Sequence, residues 1–305
     1  MKKRKVMSFD NPTAVYMDYH RRYLWNFLMN LFKWNGMPET VDLRFFNDKL
    51  LSEGWSPVFD YRDIGYISTD GAYSGLDHYY RPVKFESANA VLKSVKRQVS
   101  HLDSIKEGGV CICYNTNNYR APESMNEIVE IYAYKLAQLD VSTDTSIVNS
   151  RVCMIPVVGD EKEAQRVINN LKDIYAGKPA TLSYKNSFGS GEINIFPIKA
   201  RDNIVTSELA DSKNNIFREF LERLGIDCVK IEKKERVLES EAESNQQELE
   251  INKCIYLEPR KRFCEELNRT FGLNVSVELN AEAVKELLRE EGVSDEGKDG
   301  HDTDK

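Results

Sequence analysis

Hydrophobic residues recur at the spacing of an amphipathic helix in several long stretches of the chain. Asn11 and Pro12 suit the start of the first stretch, because Asn caps helices well and Pro is tolerated at the first helical position. Gly36, Gly54 and Gly225 suit helix ends, where a left-handed residue is common. The pattern predicts helices over residues 11–35, 42–53, 122–150 and 206–225.

Short apolar runs separated by Gly, Asp and Asn lie between Trp55 and Tyr114 and predict strands. We expect these strands to form a small antiparallel barrel or sheet, interrupted by a helix near residues 89–99. Later in the chain, Ile255–Leu257 is predicted as a strand and Pro259–Thr270 as a helix. Residues 272–280 alternate between polar and apolar and predict a final strand.

Residues 151–198 are interpreted as a compact insert between two long helices. A strand is expected over 152–158, an amphipathic helix over 161–175, and two strand-like runs around "NSFGSGE". Gly189 and Gly191 are weak evidence for a phosphate-binding loop, because no Lys followed by Ser or Thr comes after them. A hairpin tip is the favoured interpretation.

The composition is that of an ordinary soluble protein, with 305 residues, 41% hydrophobic and 30% charged. This length can bury one large core or two modest ones. No apolar run approaches the roughly 18–20 residues that span a bilayer, and no apolar signal region follows the basic N-terminus. The protein is therefore expected to stay in the cytoplasm where it is made. Its net charge of −7 argues against a general nucleic-acid-gripping surface.

No residue pattern indicates catalysis or metal binding. The six cysteines include no Cys-x-x-Cys pair and lie far from the four histidines, so buried reduced thiols are favoured over a metal site or a disulfide framework. No serine lies in a nucleophile elbow, and no nucleotide-binding loop is present. No catalytic residue, metal or cofactor is expected.

The segment "KIEKKERVLESEAESNQQELE", residues 230–250, has almost no side chain suited to a core. It could be a solvated helix face, a disordered linker, or a loop that stays hydrated because it faces a charged partner. Structured sequence on both sides disfavours a linker, because the stretch 251–279 is short for an independent domain. The final stretch, "SDEGKDGHDTDK", is predicted to be a disordered tail.

Four strings resemble one known family: "NLFKWNGMPETVDLRFFNDKLLSEG", "CICYNTNNYRAPESMNEIVEIYAYKLAQL", "IFREFLERLGIDCVKIEKKERVLESEAESNQQ" and "CEELNRTFGLNVSV". They resemble the portal protein, also called the upper collar or head-to-tail connector, of small short-tailed phages of the phi-twenty-nine type. The resemblance covers nearly the whole chain in order. The strings are specific together, although none is diagnostic alone.

The resemblance implies an α+β portal fold with long stem helices, a small β-rich barrel in the wing and an α/β clip. On this sequence the implied parts are an N-terminal arm and wing (1–121), first stem helix (122–150), clip (151–198), second stem helix (199–226), channel loop (227–250), C-terminal wing (251–290) and acidic tail (291–305). We expect the apolar helix faces around Tyr132, Leu136, Phe217 and Phe220 to pack both within and between subunits.

The family's function implies a homo-dodecameric ring at one capsid vertex of the virion, assembled in the host cytoplasm. Double-stranded genomic DNA would pass through its channel without sequence-specific recognition. Further implied partners are a packaging RNA and a packaging ATPase where present, the major capsid and scaffolding proteins, and a lower collar or tail protein, but no membrane. The alternative function is a monomeric nucleic-acid-processing enzyme or an adaptor of another assembly.

In the family, the segment after the second stem helix projects into the DNA path. A basic cluster there would touch phosphates transiently; it consists of Lys230, Lys233, Lys234 and Arg236. Three acidic residues would repel the phosphates, namely Glu239, Glu241 and Glu243. A solvated helical extension without DNA contact is the other interpretation. Lys199 falls at, or within a residue or two of, one of the family's channel lysine rings, or it is an ordinary surface lysine. Glu208 stands at the second ring, which puts a two-ring gate in doubt.

The N-terminus begins with a basic cluster, Lys2, Lys3, Arg4 and Lys5. In an arbitrary protein such a cluster is usually a solvated tail. The resemblance implies RNA binding instead, because these portals dock packaging RNA and the motor through basic N-terminal arms.

Overall fold

The computed structural model describes residues 11–89, 92–149, 154–157, 194–197, 206–226 and 239–280, together with residues 161, 165, 168, 169 and 172. Its helices are α1 (Pro12–Met29), α2 (Leu43–Glu53), α3 (Asn126–Asn149), α4 (Thr206–Arg223) and α5 (Glu239–Phe271). Its strands are β1 (Phe32–Asn35), β2 (Trp55–Tyr61), β3 (Gly65–Ile67), β4 (Ala72–Leu76), β5 (Pro82–Asn89), β6 (Lys93–Gln98), β7 (Val110–Tyr114), β8 (Met154–Val157), β9 (Asn194–Pro197) and β10 (Ser276–Leu279). The mixture of helices and antiparallel strands agrees with the predicted fold class.

The chain divides into two compact units, and the first comprises Met1–Met17 and Tyr134–Ile216. Within it, β8 and β9 form an antiparallel ladder that pairs Met154 with Pro197. The Tyr16 hydroxyl donates to the Asp144 carboxylate, and Lys213 Nζ lies 2.7 Å from Asp140 Oδ1. Polar contacts therefore tie together the parts of α1, α3 and α4 that belong to this unit.

The predicted insert 151–198 is described only in part. Its first strand is confirmed as β8, and the described residues between 161 and 172 are helical and exposed. The "NSFGSGE" stretch lies outside the described residues, as does Lys199.

The second unit comprises Asp18–Ala133 and Phe217–Lys305, and it contains two three-stranded antiparallel sheets. Their strand orders are β3-β2-β7 and β4-β5-β6. Trp55, Phe59, Phe85 and Ile112 contribute to the apolar core that the two sheets share. A parallel bridge joins Val99 to Val110, but no ladder in the described residues closes the strands into a barrel.

A second core lies between α2, α5, β2, β7 and the β1–β10 pair. Its members include Trp34, Phe46, Cys111, Phe263 and Leu267. The rings of Phe46 and Phe263 stack at 5.6 Å, and Trp34 meets both edge-on. Burial of so many aromatic and aliphatic side chains holds α5 firmly in this unit.

The predictions for α2 and α4 are confirmed. The Asp42 side chain caps α2 by accepting from the backbone N of Arg44 at 2.9 Å, and Gly54 follows the helix with a φ of +81°. Gly225 follows α4 with a φ of +76°. Helix α3 begins at Asn126 rather than Pro122.

The first predicted helix is too long. Helix α1 ends at Met29, and Phe32–Asn35 forms β1, which pairs antiparallel with β10 through Trp34 and Val277. The apolar run at the end of α1 fits both the helical and the strand period. Its strand partner, β10, lies about 240 residues away in the chain. Long-range pairing therefore overrides the local helical pattern.

Two later assignments are wrong. Asn89 ends β5 and residues 93–98 form β6 rather than a helix, because Leu92, Val95 and Val99 imitate a helical period while the chain turns at Leu92. The predicted strand Ile255–Leu257 lies inside α5, which continues through Pro259. Packing of the buried side chains around Pro259 outweighs the cost of a proline in a helix interior, roughly 3 kcal/mol.

Candidate functional site

The described part of the predicted channel segment is helical. Glu239, Glu241 and Glu243 lie in the first turns of α5, and the helix includes all of residues 239–250. With 3.6 residues per turn, positions 239 and 243 share a face and position 241 lies on the opposite one. The other predicted site residues lie outside the described residues, namely Lys2, Lys3, Arg4, Lys5, Lys199, Lys230, Lys233, Lys234 and Arg236.

Helix α5 has an anchored half and a charged half. Its 33 residues span roughly 50 Å at 1.5 Å per residue. From Tyr256 onward it buries one residue after another, including Leu257, Phe263, Cys264 and Leu267. Glu250 and Ile251 are exposed. The second unit therefore holds the C-terminal half rigidly, and the charged N-terminal half extends from this base.

Gly225 fixes where the chain leaves α4. A Cβ at this position would come within 2.3 Å of the backbone N of Lys253, so the two backbones meet only because residue 225 is glycine. Nearby, Asn252 Nδ2 donates to the Glu222 carbonyl at 3.1 Å. The end of α4 is therefore fixed beside the middle of α5, about 20 Å along the helix axis from Glu239.

Arg260 locks α5 to the sheets. Its side chain is fully enclosed, with 2% of the residue exposed. The guanidinium donates to the Asn115 carbonyl at 3.0 Å, the Asn115 Oδ1 at 2.8 Å and the Tyr256 carbonyl at 2.7 Å. It also lies 4.2 Å from the centre of the Phe32 ring. All of these partners are neutral, and burial lowers the pKa of Arg260 to about 10.

A cavity of about 60 Å³ lies against the anchored half of α5. Its polar lining includes His101, Tyr114, Arg262 and Glu266, and the Tyr114 hydroxyl is buried without a hydrogen-bond partner in the described residues. Burial raises the pKa of Glu266 to about 7, while the nearby Arg262 guanidinium opposes that shift. The cavity is large enough for one or two waters that would satisfy these groups.

Helix α4 has a polar exposed face in the first unit. Glu208, Asp211 and Asn215 are exposed along it at helical spacing. Glu208, the residue that departs from the family's second lysine ring, thus lies at the surface in the first turn of the helix.

The described residues provide no cluster of three metal-ligating side chains. Cys111, Cys113 and Cys264 are buried, and burial raises their pKa values, which disfavours the reactive thiolate. None of the helices in the described part of the chain is both long and apolar enough to cross a membrane.

Comparison with protein families identifies the family of this chain. The chain matches the model of the family Phage Connector (GP10) over residues 3–284. The chain belongs to this family. It is a structural portal protein of a phage virion, located at the capsid vertex.

The chain is also similar to several solved structures, and the first of them agrees with it at the level of the fold. A chain of the portal and tail of native bacteriophage P68 is 19% identical, with 94% of this chain and 97% of that chain covered and a TM-score of 0.50. A HK97 family phage portal protein from Corynebacterium diphtheriae is 11% identical, with 92% and 98% covered and a TM-score of 0.42. A chain of the native gene transfer agent virion is 11% identical, with 97% and 88% covered and a TM-score of 0.40.

For this connector-family chain, sequence reasoning recognised the charged segment but missed how it is held. Arg260 falls four residues after Tyr256 and three before Phe263, at the spacing of a buried helical face. That pattern could have identified Arg260 as buried. Because the helix is predicted to start at Pro259, Tyr256 falls outside it and the pattern is incomplete. Gly225 was recognised only as a helix stop, since the close approach of Lys253 has no local signal.

Proposed function

We propose that the protein assembles as a ring of twelve copies whose central channel conducts genomic DNA during packaging and ejection. The observation that carries this proposal is the match to the connector family over residues 3–284. In this ring, α3 and α4 belong to the stem, residues 151–198 to the clip, and residues 1–121 and 251–290 to the wing. The ring also provides the attachment point for a packaging ATPase, the capsid and scaffolding proteins, and a lower collar or tail protein.

The charged segment 227–250 faces the DNA path in this proposal. A duplex carries one phosphate charge per roughly 1.7 Å. A channel lining that is basic throughout would therefore bind the duplex too tightly for it to slide. Lys230, Lys233, Lys234 and Arg236 attract the duplex, and the acidic turns that begin α5 repel it. Lys199 adds a further positive ring near the clip. Support for this placement comes from the anchored half of α5, which gives the segment a rigid base.

Electron microscopy tests the assembly directly. Purified protein should form rings with a central hole in negative stain, and its mass in solution should be near twelve times the 35.1 kDa of one chain. A protein that stays monomeric at every concentration tested would favour the alternative, a monomeric nucleic-acid-processing enzyme or an adaptor.

The N-terminal arm is proposed to bind packaging RNA. Changing Lys2, Lys3, Arg4 and Lys5 to Gln should leave rings intact but weaken RNA binding. The plot of log K against log salt should also become less steep, because each lost phosphate contact reduces the slope by about 0.7–0.9. As a control, Lys298 and Lys305 in the acidic tail are changed to Gln, which removes two positive charges against the four removed from the arm. An unchanged slope in the arm variant would identify the arm as a solvated tail.

A further inference from the structure

Helix α4 ends in a pair of backbone hydrogen bonds that close its last turn. Ile226 N donates to the Leu221 carbonyl at 3.0 Å, and Gly225 N donates to the Glu222 carbonyl at 2.9 Å. This is the Schellman arrangement, and Gly225, with a φ of +76°, supplies the left-handed residue that it requires. Leu221 and Ile226 are both buried. The end of α4 is therefore a fixed point within the second unit.

Helix α5 makes its own contact with this fixed point. Asn252 Nδ2 donates to the Glu222 carbonyl at 3.1 Å, and that oxygen, with two lone pairs, also accepts from Gly225 N. Beside this bond, the backbone of α5 passes so close that a Cβ on residue 225 would meet Lys253 N at 2.3 Å. We call Glu222, Gly225, Asn252 and Lys253 the latch. A side-chain bond and a backbone contact thus hold α5 at one level along its axis.

The latch lies outside the buried part of α5. Burial begins at Tyr256 and Leu257, whereas Glu250, Ile251 and Cys254 are exposed. Of the contacts that the structure describes for α5, the latch is therefore the one nearest the start of the helix. Residues 239–251 continue the helix beyond it.

This position gives the latch leverage over the start of the helix. At 1.5 Å per residue, residue 252 lies about 6 Å along the axis from Tyr256, and residue 239 lies about 25 Å from it. If the helix turns as a rigid rod about Tyr256, a shift of about 1 Å at the latch moves residue 239 by about 4 Å. Loss of the latch would thus be felt mainly at the charged start of α5.

Neither helix needs the latch in order to form. The two backbone bonds cap α4 without help from Asn252, and Arg260 and the apolar core anchor the C-terminal half of α5. What the latch adds is a second attachment point for α5, on a different element and about 12 Å along the axis from Arg260. Two attachment points fix the direction of a rod, whereas a single anchored region leaves its free end able to swing.

We propose that the latch positions the channel segment. It fixes the direction in which the first half of α5 extends, and it holds that direction when packaged DNA presses on the helix. Asn252 and Gly225 are positioning residues, because they act through the helix and need not touch DNA. In a ring, the same latch in every copy gives all the helix starts the same reach into the channel. This inference rests on the channel placement of residues 227–250 proposed above.

Asn252→Asp tests the latch without changing the size of the side chain. A carboxylate cannot donate to the Glu222 carbonyl, and its charge would face the negative end of the α4 dipole. Rings should still form. The backbone amides of residues 239–252 should exchange with deuterium about 2- to 10-fold faster, while those of residues 256–271 stay within about 2-fold of the parent. DNA retained in filled capsids should fall to a level between that of the parent and that of a variant lacking residues 229–246.

Two further variants serve as controls. Asn252→Gln keeps an amide donor, so amide exchange and DNA retention should return towards the parental values. Cys254→Ala changes an exposed residue two positions along, on the opposite side of the helix. It should alter neither measurement.

The outcomes separate the latch from the channel placement on which it rests. Parental amide exchange in Asn252→Asp would overturn the proposal, and so would faster exchange with full DNA retention while the variant lacking residues 229–246 leaks. Failure of Asn252→Asp to form rings would make the latch a folding element and would also overturn it. If the variant lacking residues 229–246 retains DNA like the parent, the proposed channel placement itself fails.

Discussion

Arg260→Ala should lower the free energy of unfolding by about 3–5 kcal/mol, because it leaves buried acceptors without a donor and opens a cavity. The lost donor serves the Asn115 carbonyl, the Asn115 Oδ1 and the Tyr256 carbonyl. The two bonds to Asn115 join α5 to the residue that follows β7, so the anchored half of the helix should loosen first. Urea unfolding at one fixed protein concentration measures the change, since subunit association also contributes to stability.

Two further variants separate the charge of Arg260 from its volume. Arg260→Met keeps most of the packing and removes a desolvated charge, so its loss should be about 1–2 kcal/mol smaller than that of alanine. Lys261→Ala is the matched control, since Lys261 lies next in α5, is half exposed and forms a surface ion pair with Glu258. Its effect should stay within about 0.5 kcal/mol. A methionine variant as stable as the parent would show that the guanidinium hydrogen bonds add nothing net.

Sequence reasoning succeeded where local chemistry determines the structure. The glycines at 54 and 225 place the ends of α2 and α4 because each acts on its own helix terminus. The alternation around Val275 and Val277 similarly predicted β10. These signals need no knowledge of the rest of the chain.

The secondary-structure predictions failed where residues distant in the sequence determine the local structure. Strand β1 exists because β10 pairs with it. The helix continues through Pro259 because Arg260 and Phe263, which follow it, are buried against other parts of the chain. No local pattern reports either partner. The site shows the same limit: the composition of residues 230–250 revealed a wet, charged segment, but not that residues 239–250 begin a helix whose far half is buried.

Removing residues 229–246 should leave folding and rings intact and abolish retention of packaged DNA. The removed residues include the basic cluster and the first turns of α5, and few of them are apolar. The new helix start at Gln247 would lie about 9 Å along the axis from Lys253, beside which Gly225 is fixed. A Gly-Ser linker of four to six residues spans this gap, and loop-closure entropy changes slowly with length. Ring formation, melting temperature and DNA retained in filled capsids are the measurements.

Variants of full length separate charge from bulk in the same assay. Changing Lys230, Lys233, Lys234 and Arg236 to Gln removes the attraction for phosphates but keeps the segment in the channel, so packaged DNA should be retained better than in the deletion. Changing Glu239, Glu241 and Glu243 to Gln removes the repulsion, so the duplex should be held more tightly and packaging should slow, most of all at low salt where charges are least screened. A deletion that cannot fold would identify the segment as a structural helix. A deletion that packages and retains DNA like the parent would remove residues 229–246 from the functional site, because neither their charge nor their bulk would then act on the duplex.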